Sequence, residues 1–143
     1  QYQGIGNDLR TATLTLTSAQ LLSLKTDWDA ATFRDIIPAV SGSVIMVDRV
    51  ICELDYETTA YVSANPLQIV YGGTTTDVVE YFPSSAVTAV ANSRYFLHKD
   101  GSGRFANPPT SAAVRFYIAA DPTTGDSPVK VTAFYRVVKN PVF

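Results

Sequence analysis

The sequence predicts a mainly β protein, an antiparallel β-sandwich of jelly-roll type with one or two short helices. Valine and threonine recur throughout, and aromatic residues reach 11% of the chain, which is the profile of pleated, half-buried strands. Apolar stretches are bounded by Asn65-Pro66, Gly72-Gly73 and Asp121-Pro122, the punctuation of turns, at the spacing of roughly ten residues that short strands produce. A length of 143 residues with 46% hydrophobic and 17% charged residues suits one packed domain rather than a disordered tail or a coiled coil. Roughly six to nine strands with two helical insertions bury their apolar faces best as two packed sheets.

The first nine residues, Gln1 to Leu9, carry Gly4, Gly6, Asn7 and Asp8 without any period. They read as an extended arm that orders on a partner, ahead of a domain spanning 10–143. A chain that begins at Gln1 rather than Met reads as processed, or as lacking a few residues; no signal-peptide pattern opens it. From Arg10 to Thr17 the alternation places Ala12, Leu14 and Leu16 on one face and threonines on the other, a strand with one wet face. Thr17-Ser18-Ala19-Gln20 has the capping-box spacing, followed by Leu21, Leu22 and Leu24, and predicts a short helix from Ser18 to about Lys25. Thr26 to Ser43 reads as an irregular or edge connection, since Pro38 bars a central strand there.

Val44 to Tyr56 gives the strongest strand pattern, with Val50, Cys52, Leu54 and Tyr56 inward and Arg49, Ile51, Glu53 and Asp55 outward. Thr59 to Val62 and Leu67 to Tyr71 are two further short strands. In Ser84 to Leu97 the spacing of Val87, Val90, Ala91 and Tyr95 predicts a helix capped by Ser84 or Ser85. His98 to Pro109 is a polar, breaker-rich loop. Ala112 to Ala120 and Val129 to Val138 are apolar-rich strands, predicted to close the chain as an antiparallel hairpin.

A formal net charge of −2 and a pI near 5.2, without a Lys/Arg cluster, argue against nucleic acid and anionic lipid as partners. The longest purely apolar run, Val44-Ile45-Met46-Val47, is far short of the ~18 residues of a membrane span. One cysteine, Cys52, and one histidine, His98, cannot build a disulfide framework or a Cys/His zinc site, so no metal or other cofactor is expected. Glu53, Asp55 and Glu57 share one strand face and have the residue types of a glycoside-hydrolysing carboxylate pair. A solvated face that protects a strand edge is the commoner role for such a run. Asp121 and Asp126 bracket a turn without the dense acidic pattern of a calcium loop. His98 lacks a nucleophile motif beside it, and Gly101-Ser102-Gly103 lacks the strand-turn-helix context of a phosphate loop. Tyrosines at 56, 61, 71, 81, 95, 117 and 135 suit interfaces or sugar stacking where exposed, and core or edge filling on strands. No catalytic constellation emerges, and the chain reads as non-enzymatic.

Leu14-Thr15-Leu16-Thr17-Ser18-Ala19-Gln20-Leu21-Leu22, Val47-Asp48-Arg49-Val50, Leu54-Asp55-Tyr56-Glu57-Thr58-Thr59-Ala60-Tyr61 and the closing run from Gly125 through Val129 to Val138 together resemble a group of small tailed-bacteriophage virion proteins. The chain departs from that group in its longer Thr26 to Val40 segment, which carries Trp28. The resemblance implies a non-enzymatic capsid decoration or cement protein that binds the major capsid protein, in virions assembled in the bacterial host cytoplasm. It supplies no catalytic residue. The arm residues Gln1, Tyr2, Gln3, Ile5 and Leu9 are the expected clamp on a neighbouring subunit. Capsid symmetry makes a closed homo-oligomer, a trimer, the expected state. The alternative is a tail-associated adhesin that stacks host surface glycan on Trp28 or exposed tyrosines, with Lys99, Arg104 and Phe105 in its variable loop.

Overall fold

Strict alternation makes β1 (Arg10–Leu16) a strand, and the Thr17 hydroxyl ends it by accepting from the Gln20 amide at 3.2 Å while Gln20 caps back on the Thr17 amide at 3.0 Å. This capping box starts α1 (Ser18–Leu22) where the sequence places it. The single helix expected to Lys25 is instead two, because Ser23 leaves helical geometry at φ −116°, ψ 12° and α2 (Leu24–Asp29) restarts beyond it. The computed structural model describes residues 8–72, 78–98 and 108–139. Its remaining elements are β2 (Asp35–Ile37), β3 (Ser43–Leu54), β4 (Leu67–Tyr71), β5 (Val78–Phe82), α3 (Ser85–Thr88), β6 (Ser93–His98), β7 (Val114–Tyr117) and β8 (Val129–Lys139).

The strands form two four-stranded antiparallel sheets, ordered β1-β8-β3-β6 and β2-β7-β4-β5. Each of β1 to β4 pairs with one of β5 to β8 in reverse order: β1 with β8, β2 with β7, β3 with β6 and β4 with β5. The chain thus runs out and back as one ribbon. Rolling that ribbon brings β8 beside β3 and β7 beside β4. Between the sheets lie Leu16, Val50, Cys52, Leu54, Val129 and Val131 from one side and Ile37, Leu67, Ile69, Val114, Phe116 and Phe82 from the other, all buried. The mainly β, two-sheet class expected from the sequence is therefore observed, with three short helices rather than one or two.

Cys52 points inward at 1% exposure as expected, and burial pushes its thiol up to about 12. Two tyrosines tie backbone within the core. The Tyr71 hydroxyl donates to the Ile45 carbonyl and the Tyr61 hydroxyl to the Ser127 carbonyl, each at 2.6 Å, so each buried phenol has the partner it needs.

Several sequence expectations are overturned. Ser84 to Leu97 is not one helix: α3 ends where Ala89 turns extended at ψ 150°, Val90 is 73% exposed, and β6 follows. Pairing along β3 satisfies the backbone of this stretch better than a solitary helix, and it places Tyr95 opposite Cys52. β7 and β8 do not form a terminal hairpin, because they lie in opposite sheets. The connection between them crosses the sandwich, and Val62 bridges Thr123 within it, which is all that remains of the strand expected over Thr59 to Val62. β3 stops at Leu54 instead of Tyr56 and carries an irregularity between Val47 and Arg49. β5 (Val78–Phe82) is a further strand beyond those the sequence predicts.

Candidate interaction surface

The outer face of the sheet β1-β8-β3-β6 is built by residues that alternate with the core. Register aligns them in rows across the sheet: Thr15, Lys130, Glu53 and Arg94 in one, and Thr13, Thr132, Ile51 and Phe96 in the next. A third row runs Thr11, Phe134 and Arg49. Phe96 is 60% exposed and Met46 41%, while Ile51 and Phe134 are half-buried. This is an apolar stripe on an otherwise polar face, with Arg49 5.2 Å from the Phe134 ring centroid, a cation–π distance.

Charge pairs frame the stripe. Arg94 donates to Glu53 from Nε at 2.8 Å, with Nη2 2.7 Å from the same oxygen, and Lys130 Nζ stands 3.4 Å from the other carboxylate oxygen. Arg136 pairs with Asp48 at 3.1 Å. At the Glu53 end an open pocket of roughly 530 Å³ is lined by Thr15, Glu53, Asp55, Asn92, Arg94 and Lys130, among others. The Arg94 hydrogen bond first, and then the charges of Arg94 and Lys130, hold the Glu53 carboxyl below the usual carboxylate range. Glu53 is thereby an ion-paired anion and a poor proton donor for general acid chemistry. Asp55 and Glu57 lie beyond the end of β3, so the three carboxylates do not share a strand face. The Glu57 amide is instead bound to the Ser127 hydroxyl at 2.9 Å.

The other candidates have local structural work. Asp121 accepts from the Lys25 amide at 2.6 Å and the Thr26 hydroxyl at 2.5 Å, at the start of α2. Asp126 accepts from the Thr59 amide at 2.9 Å and from the Thr58 hydroxyl. Their donors differ, and no group of three metal-ligating side chains occurs among the described residues. Trp28 is half-buried, edge-on to Phe33 at 5.0 Å and to Tyr117 at 4.8 Å between centroids. The contact with Tyr117 seats α2 against β7. Leu9 is 49% exposed. Gln1, Tyr2, Gln3, Ile5, Lys99, Arg104 and Phe105 lie outside the described residues, as does the side chain of His98. Sequence reasoning missed Phe96 because it assigned that segment to a helix.

Asp27, held by Arg34 and Ser23, and Asp126, held by Thr58, Thr59 and Ser127, are shifted down like Glu53. A carboxyl whose folded pKa is depressed adds stability that is present above its unfolded value and lost as pH falls through the folded one. With unperturbed values of 3.8 for aspartate and 4.5 for glutamate, the urea midpoint is expected to be flat above about pH 5.5 and to fall through the acid range below it. A midpoint that rises on acidification to pH 3 would contradict these assignments.

No family model matches this sequence, and no curated protein matches it. Among solved structures, a chain of the cyanophage Pam1 capsid asymmetric unit is similar to it at 18% sequence identity and a TM-score of 0.49, with 95% of this chain and 89% of that one covered.

Proposed function

We propose that this chain is a non-enzymatic virion structural protein, a decoration or cement protein whose exposed sheet face and N-terminal arm bind neighbouring capsid subunits. The observation that carries the reading is the strand order. Pairing of β1 with β8, β2 with β7, β3 with β6 and β4 with β5 across two sheets supports reading the sandwich as a jelly roll, an architecture used by viral capsid and lectin domains. Architecture alone does not fix function, so the surface must agree with it. The outer face of β1-β8-β3-β6 offers an apolar stripe of Phe96, Ile51, Phe134 and Met46 framed by ion pairs, which is the anatomy of a protein interface with an apolar centre and a polar rim. The sequence resemblance to small phage virion proteins points the same way. The adhesin alternative is weakened by the seating of Trp28 in the fold.

Electron microscopy of particles labelled with an antibody against this chain tests the reading, with label expected over the head. Label confined to the tail would replace it with the adhesin, and unlabelled particles would overturn the virion assignment. Phe96→Asp should reduce capsid binding at least tenfold while leaving the fold intact, since the ring is exposed.

A further inference from the structure

The geometry points to β1 as a self-complementary edge through which two copies of this chain join their sheets about a two-fold axis at Thr13. This inference stands independently of the decoration reading. Four strands lie at sheet edges among the described residues, and three of them are blunted. β2 is three residues long, shifts register against β7 and is followed by Pro38. β5 has a register shift against β4 and carries Glu80. β6 carries the charged side chain of Arg94 as its second residue. These are the devices by which folded proteins prevent edge pairing. β1 has none of them: it pairs with β8 over all seven residues without a shift, contains no proline, and confines its one charge, Arg10, to the end.

Among the described residues no strand lies on the free side of β1. Ala12 and Leu14 face inward by register, yet both are only half-buried, and Thr11, Thr13 and Thr15 are exposed. The occupant is specified by the strand itself. When β1 runs antiparallel to a second β1 about Thr13, Thr13 faces Thr13 of the second copy, Thr11 faces its Thr15, and Ala12 faces its Leu14. All seven residues pair, the five from Thr11 to Thr15 each meet a side chain of their own kind, and outward residues stay on the outward face. Arg10 falls opposite Leu16 of the second copy, so no like charges meet. Threonine pairs favour such cross-strand positions, and Thr13 already forms one with Thr132 at 3.3 Å within the sheet. The result is a continuous eight-stranded sheet with an unbroken threonine row at its centre.

A seven-residue strand pair buries less than the ~1,200 Å² of a stable interface, so the dimer is concentration-dependent in solution. It becomes populated wherever copies are held side by side, because effective concentration then replaces affinity. The two-fold contact is also distinct from a trimer.

The test is sedimentation equilibrium of the full chain over a wide concentration range. A monomer–dimer equilibrium is expected for the native protein. Thr13→Lys and Thr13→Glu should each weaken dimerisation at least tenfold, because each sets like charges face to face, and an equimolar mixture of the two should restore it. That rescue separates loss of the contact from loss of the fold, which circular dichroism of each variant also checks. Thr13→Cys should cross-link two copies on oxidation, whereas Thr11→Cys should not, since the register places the two Thr11 positions four residues apart, beyond disulfide reach. A native chain that stays monomeric throughout, a trimer indifferent to both charges, or equal cross-linking at 11 and 13 would overturn the inference.

Discussion

Gly125→Ala is expected to destabilise the protein by about 2–6 kcal/mol, the sum of backbone strain and overpacking. Gly125 sits at φ +91°, a conformation that residues with a Cβ rarely adopt, and an added Cβ would lie within 2.5 Å of Tyr61 Cγ and Cε1. The ring cannot retreat easily, since Tyr61 is 2% exposed and its hydroxyl is held by the Ser127 carbonyl. Urea denaturation gives the loss directly. The double variant with Tyr61→Ala should lose less than the sum of the two single changes, because removing the ring removes the collision. Strict additivity would show that the glycine is required for its backbone alone.

Phe116→Ala is expected to cost about 3–5 kcal/mol by the same measurement, as a large-to-small change with no solvent access. Phe116 is 0% exposed on β7, opposite Ile69 of β4, and its amide donates to the Arg34 carbonyl at 3.0 Å. β7 is held between β2 and β4 in its sheet, which limits how far the site can collapse. Phe96→Ala, on the bare outer face, should change stability by less than about 0.5 kcal/mol. The contrast between two phenylalanines on strands of different sheets tests the assignment of inner and outer faces more sharply than either alone.

Where one face of a strand meets solvent, the sequence declares it. The threonine alternation of β1 and the Val50-Cys52-Leu54 alternation of β3 are read correctly because a two-residue period has no other solution. The capping box at Thr17 and Gln20 is similarly local. What remained hidden depends on distant partners. Val87, Val90, Ala91 and Tyr95 do have helical spacing, yet β3 offers a hydrogen-bonding edge that a four-residue α3 cannot match. The Val114 to Val138 region has two good strands and a turn-rich joint, and nothing local reports that they enter different sheets. The same gap concealed the interaction surface: Ile51 was legible as outward, but its neighbours Phe96 and Phe134 come from strands 45 and 83 residues away in the chain, and only the register assembles them.

The pairing of the first strand with the last has a kinetic meaning. Thr13 and Thr132 touch across a separation of 119 residues, and β2 with β7 and β3 with β6 close loops nested inside that one. Such a topology has high contact order, so folding pays most of its loop-closure entropy before the largest set of contacts rewards it. During synthesis, β1 waits unpaired until β8 has left the ribosome, and that same unblunted edge is then exposed to every other nascent copy. The longer this interval lasts, the more the chain depends on folding faster than it meets its neighbours.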